Sequence, residues 1–264
     1  MRVKTFALAA LVLGLASCQR EPEGLDVNLG AEVDTTITLT IPGNNTRAGG
    51  ADSAEGIFAN GLLTDTGNDL TMRYILQVYY MGEPSEERQV AYSDDSSVTF
   101  DIRLIPNRDY TFVVWADVVT EQGKVNGQYS SADDLHYNTA NGLTNITLND
   151  TWVAMDETRD AFFGSRVGFE PTGIATEETI YLYRPFAQVN FATSENDWNS
   201  ASTFVNDGNK ANRLKSSVVF DRLPSRFNVM AGDIVAGHYY DNVVFEYNPA
   251  PALQDANGNE DWIG

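Results

Sequence analysis

Apolar and polar positions alternate with a period of two along much of this chain. Ile37, Leu39 and Ile41 interleave with Thr36, Thr38 and Thr40, and Val98, Phe100, Ile102 and Leu104 interleave with Thr99, Asp101 and Arg103. Successive side chains of a strand point to opposite faces, so both stretches predict half-buried strands with the apolar set inward. Met72–Met81 and Tyr110–Val119 instead carry apolar residues on both sides, as strands covered on two faces do. Shorter runs follow at Ile146 and Leu148, Ala161–Gly164, Thr179–Phe191, Ser217–Phe220 and Asn242–Tyr247. Pro185 has no amide donor and predicts an edge or a bulge in the longest of these. Turns are expected at Pro42–Asn45, Gly82–Glu87 and Pro106–Asp109. Asp52–Leu63 reads as a short helix or coil laid against the core. Helical periodicity is almost absent, so the expectation is an all-β protein built as an antiparallel β-sandwich.

The first eighteen residues follow another rule. Arg2 and Lys4 precede the apolar run Phe6–Leu15, and Ala16, Ser17 and Cys18 close it. A basic start, a short apolar core and small residues make a secretory signal peptide. A membrane-spanning helix would need about 20 apolar residues. Leu15-Ala16-Ser17-Cys18 looks like a bacterial lipobox, in which Cys18, the only cysteine of the chain, is acylated and becomes the new N-terminus. Each buried CH₂ of an acyl chain contributes about 0.8 kcal/mol, so two or three chains hold a soluble domain on a membrane. Residues 19–30, which include Pro22 and Gly24, read as a tether.

Charge narrows the partners. The net charge of −20 becomes −22 once the signal takes Arg2 and Lys4 and no acid with it. Nucleic acid and anionic lipid both select for excess Lys and Arg, so neither is expected as a partner. Aromatics at 11% of residues, with many Val, Ile and Thr, favour a packed β protein over disorder. The expected plan is one domain over residues 31–195 and the start of a second β domain over 196–264, truncated where the sequence stops after Trp262, Ile263 and Gly264.

No constellation of residues announces catalysis. His136 and His238 stand far apart without a nucleophile or metal-ligand spacing around them, and both read as surface or turn histidines. Asp255-x-Asn257-x-Asn259-x-Asp261 has the alternating oxygens of a calcium loop, but the turn glycine and the twelfth ligand are out of place, so a polar turn is expected. Asp94-Asp95 and Asp133-Asp134 read as solvated loop acids. Glycine-rich phosphate loops and Ser/His/Asp arrangements are missing from the sequence. The expectation is a protein that is not an enzyme and calls for no cofactor.

The order of the elements carries a resemblance. A lipobox, a Thr-rich first strand, an arginine in the small-residue loop Asn44-Asn-Thr-Arg-Ala-Gly-Gly50, the long strands at 74–81 and 110–119, Ala161-Phe-Phe-Gly164 and Ile180–Phe191 follow one another. This order resembles the fimbrillin-like lipoproteins of the Bacteroidales, subunits and accessory proteins of type V pili. The resemblance implies transthyretin-like Greek-key sandwich domains, an outer-membrane and cell-surface location, and release into fimbriae after processing. It also implies a cut after a basic residue behind the first strand, here between Arg47 and Ala48. The released strand, with Ile37, Leu39 and Ile41, is then replaced by a strand from a neighbouring pilus subunit. A host or bacterial surface ligand is a further implied partner. Arg47 is equally readable as an exposed loop arginine, and anchor-type members keep their first strand. Two other classes stay open. One is a glycan-binding surface lipoprotein of a nutrient-uptake system, with Trp152, Trp198 and Trp262 as candidate contacts. The other is an extracytoplasmic hydrolase.

Overall fold

The computed structural model describes residues 31–42, 58, 63, 70–85, 88–120, 134–153, 156–186 and 216–247, and the backbone of 253–254 and 260–261. Among them the strands are, in chain order, β1 (Val33–Thr40), β2 (Leu70–Tyr80), β3 (Glu83–Pro84), β4 (Gln89–Ser93), β5 (Ser97–Leu104), β6 (Tyr110–Thr120), β7 (Tyr137–Asn138), β8 (Ile146–Leu148), β9 (Ala161–Phe169), β10 (Thr176–Tyr181), β11 (Ser216–Pro224), β12 (Arg226–Asn228), β13 (Asp233–Ile234), β14 (Tyr239–Tyr247), β15 (Leu253–Gln254) and β16 (Glu260–Asp261). The protein is all-β.

Three sheets lie in layers, and side-chain parity explains why. The middle sheet runs β3-β2-β6-β9, with β4 also paired to β2. Even-numbered residues of its two long strands, Met72, Tyr74, Leu76 and Val78 with Phe112, Val114, Ala116 and Val118, face one core. That core is completed by the outer sheet β10-β1-β5 through Ile37, Leu39, Ile41, Phe100, Ile102, Leu104 and Ile180. The odd-numbered Ile75, Tyr79, Val113 and Trp115 face a second core, closed by Tyr137, Leu143, Ile146, Leu148, Phe227 and Val229 of the sheet β13-β12-β8-β7 and its loops. The two stretches without a polar face are therefore the strands with a sheet on each side. In β5, Phe100, Ile102 and Leu104 are buried and Thr99, Asp101 and Arg103 exposed, as its alternation predicts.

Several details differ from the sequence reading. The turn after β2 is the two-residue Met81-Gly82, both at positive φ (53° and 84°), and Pro84 sits in the short edge strand that follows. The described part of the long run after Ile180 leaves the strand after Tyr181, and an isolated bridge between Tyr183 and Phe163 follows. Pairing is not wholly antiparallel, because β1 and β10 run parallel. Contacts also join distant parts of the sequence. Ala31–Gly264 forms one compact unit, and β12 pairs with β8 while Phe227 packs against Trp115 (ring centroids 6.0 Å apart) and Phe163 (4.9 Å). Trp115 and Tyr79 leave the second face of the middle sheet apolar, and covering it takes residues from beyond 220.

Gly164, paired with Val114 within the β6–β9 ladder, is where the chain at 180–182 passes closest to β9. A Cβ there would lie 2.8 Å from Leu182 Cδ2 and 2.9 Å from the Tyr181 carbonyl oxygen, so only glycine lets the two strands approach this closely.

Candidate functional site

β1 occupies an unusual place for the first strand of the described fold, because it lies in the middle of its sheet. It pairs with β5 from Val33–Leu104 to Thr40–Ser97 and with β10 from Thr35–Thr176 to Thr40–Tyr181. Ile37 and Leu39 are fully buried and Ile41 nearly so. Burial of such side chains contributes about 1.5–3 kcal/mol each. On the outer side, hydroxyls zip β1 to β5: Thr36 donates to Asp101 (2.9 Å), and Thr38 meets Thr99 (3.4 Å) and Thr40 meets Ser97 (3.2 Å). One inward position breaks the apolar row. Thr35 is buried, and its hydroxyl finds no hydrogen-bond partner among the described residues.

The second core holds two polar nodes. Arg73 of β2 lies directly across from Asp117 of β6 and grips it bidentately, Nε to Oδ1 at 2.7 Å and Nη2 to Oδ2 at 2.6 Å. Its Nη1 donates to Asp134 Oδ1 at 2.6 Å, and all three side chains are fully buried. Asp134 also accepts from the Thr139 amide (3.1 Å), and Arg88 donates to the Thr139 carbonyl (2.7 Å) and hydroxyl. Two arginines thus fix the segment 134–139 where it returns to the core. Burial, and then the charge of Asp134, outweigh Arg73 and push Asp117 above the ordinary carboxylate range. Asp134 is therefore no solvated loop acid.

The other node surrounds His136, which is buried rather than on the surface. Its Nε2 lies 2.6 Å from Thr158 Oγ1, whose hydroxyl proton is donated to Asp156 Oδ1. Asp156 caps the 3-10 turn Glu157–Arg159, and Arg159 bridges Asp156 (3.1 Å) and Asp150 (2.8 Å). Burial opposes the charge on Asp156, but Thr158 and the basic neighbours hold its carboxyl below the ordinary range. A hydroxyl, an imidazole and carboxylates in a row could be taken for a nucleophile and its base. The proton count argues otherwise. Thr158 has one hydroxyl proton and gives it to Asp156, so Nε2 must carry the hydrogen and cannot act as base toward Thr158.

Of the residues that the sequence reading singles out, Ile37, Leu39 and Ile41 share one buried face. Cys18, Arg47, Ala48, Trp198, Trp262 and the side chains of Asp255–Asp261 lie outside the described residues. Trp152 is half-buried and donates its indole N–H to the Pro224 carbonyl at 2.8 Å. His238 is half-buried, and its carbonyl accepts from the Ser225 amide. The Arg73 node was missed, although an arginine and an aspartate each inside an apolar strand are a signal in themselves, since neither is often buried unpaired.

These features define an all-β sandwich whose first described strand is inserted between two others. The chain belongs to a family of unknown function, DUF6562, whose model matches residues 25–261. Comparison with curated proteins and with solved structures found no match.

Proposed function

We propose that this chain is a cell-surface lipoprotein that works like the fimbrillins, a structural or adhesive component of a type V pilus and not an enzyme. In this reading Cys18 carries the lipid, the Arg47–Ala48 bond is the processing site, and a donor strand from a neighbouring subunit takes the place of β1. One observation supports it above the rest: β1 comes first among the described strands, yet sits between β5 and β10. It can therefore be withdrawn without unthreading any other described strand. Withdrawal would unpair the facing edges of β5 and β10 and empty the sites of Ile37, Leu39 and Ile41. An added strand supplies both the backbone partners and the side chains. Native domains are stable by only about 5–15 kcal/mol, so the emptied form needs that replacement to persist.

The test is N-terminal sequencing of protein recovered from cells, with and without a trypsin-like protease. Processed chains should begin at Ala48, leave the membrane and bind a donor peptide or aggregate, and Arg47→Ala should abolish all three. Cys18→Ala should abolish labelling by a fatty-acid analogue. If every chain starts at Cys18 and Arg47→Ala changes nothing, the polymerising role fails and an anchor or accessory lipoprotein is the better reading. Glycan binding draws support from a different observation. Tyr181 and Tyr183, two positions apart, are each more than half exposed, and stacking on flat sugar rings would use such a pair. Retardation in a glycan affinity gel, lost in Tyr181→Ala, would favour that reading.

A further inference from the structure

We propose that His136 is a proton-operated clasp: as the neutral ring it ties segment 134–140 to the turn at 156–160, and as the cation it draws Asp150 away from Arg159 and loosens that junction.

The geometry fixes the starting state. Nε2–H donates to Thr158, which donates to Asp156, so the neutral tautomer is set by a chain of directed hydrogen bonds. Nδ1 is then the bare nitrogen, buried and without a hydrogen-bond partner among the described residues. The nearest acidic group to it is Asp150, with Oδ1 at 3.8 Å, outside hydrogen-bonding distance. The other oxygen of Asp150 is already held by Arg159 Nη2 at 2.8 Å. A proton on Nδ1 creates a donor for which Asp150 is the acidic acceptor among the described residues, and it sets a second cation beside Arg159. The two then compete for one carboxylate.

Of the described residues around the ring, Asp156, Asp160, Asp134 and Tyr240 do not relieve this competition. Asp156 faces the Nε2 side, 3.7 Å away, and is shared between Thr158 and Arg159. Asp160 is engaged by Arg184 at 2.6 Å, and Asp134 by Arg73. Tyr240 of β14 donates its hydroxyl to the Leu148 carbonyl and adds no charge while neutral. Burial first, then Arg159, lower the affinity of the ring for a proton against the pull of Asp156 and Asp150. The unfolded chain therefore takes the proton before the folded one, and the clasp is intact above the ordinary histidine value of about 6.5 and weakens as pH falls through it.

The junction matters because it covers the second core. Tyr137 stacks edge-on against Trp115 at 5.3 Å, and its hydroxyl donates to the Arg159 carbonyl at 2.7 Å. A shift of the 3-10 turn is thus passed to the indole through one side chain.

The experiment follows the ring and the backbone together in the full-length chain. NMR titration reads the His136 ring. Amide exchange of 134–140 and 156–160, corrected for its intrinsic pH dependence, is compared at about pH 7.5 and about pH 5.5, on either side of the ordinary histidine value. The wild type should lose protection in both segments at the lower pH, by up to about tenfold, the ceiling set because that pH lies about one unit under the ordinary histidine value. His136→Gln keeps the donor to Thr158 and cannot take the proton, so its protection should not change between the two conditions. A ring that titrates at or above the ordinary value overturns the proposal, even if the variant fails to fold. Equal losses of protection in wild type and variant overturn it as well.

Discussion

Single residues in this fold are set against their neighbours in ways that substitutions can read. Thr35 buries a hydroxyl that has no partner among the described residues, in the inward row of β1. An unsatisfied buried polar group is destabilising by about 1–3 kcal/mol. Thr35→Val should therefore raise stability by about 1 kcal/mol in denaturant unfolding, and it should also slow any withdrawal of β1. Unchanged or lower stability would mean that the hydroxyl is satisfied. The Arg73 node predicts an asymmetry. Arg73→Met removes the cation that grips Asp117 bidentately and reaches Asp134, a loss of about 3–5 kcal/mol. Asp134→Asn leaves a neutral Arg73–Asp117 pair and should be far milder. Equal losses in urea unfolding of the two variants would refute the asymmetry.

At the scale of elements, β12 carries the sharpest expectation. Phe227 is buried and contacts the rings of Trp115, Phe163 and Phe186. Phe227→Ala should lower stability by about 3–5 kcal/mol and move the unfolding of the whole Ala31–Gly264 unit, followed by Trp fluorescence and circular dichroism together. A change confined to one probe would mean that β12 is a separate unit. The same element shows where the sequence stops being legible. Alternation in β1 and β5, and the two-sided apolar pattern of β2 and β6, follow from local side-chain parity and can be read without a structure. That a three-residue strand eighty residues further on closes the second core cannot. Arg226-Phe227-Asn228 is too short to show a period, and its partner β8 is shorter than four residues as well. The Arg73–Asp117 pair was half legible, as two charges out of place; their register across β2 and β6 was not. His136 was misread for the same reason, because its burial comes from β7, β8 and the 3-10 turn folding over it.

For the molecule as a whole, the buried phenols dictate behaviour in alkali. Burial, then the charge of Asp95, raises Tyr74, and burial, then the charge of Asp117, raises Tyr137, both well above the ordinary tyrosine value. The unfolded chain gives up those protons first, so stability should fall as pH rises above about 10. Absorbance titration should show tyrosines that ionise only with unfolding, and Tyr137→Phe should flatten the fall; a titration in which all tyrosines ionise freely would contradict the fold. One consequence of the β1 arrangement lies outside chemistry. Tension entering the chain ahead of Val33 runs along the axis of β1, while its hydrogen bonds to β5 and β10 lie across that axis. Both ladders are then loaded in shear and must slip together rather than open one bond at a time. A grip of that kind resists pulling far better than peeling, so a strand that the proposed cut would free from behind is, in the uncut chain, hard to drag out by its leading end.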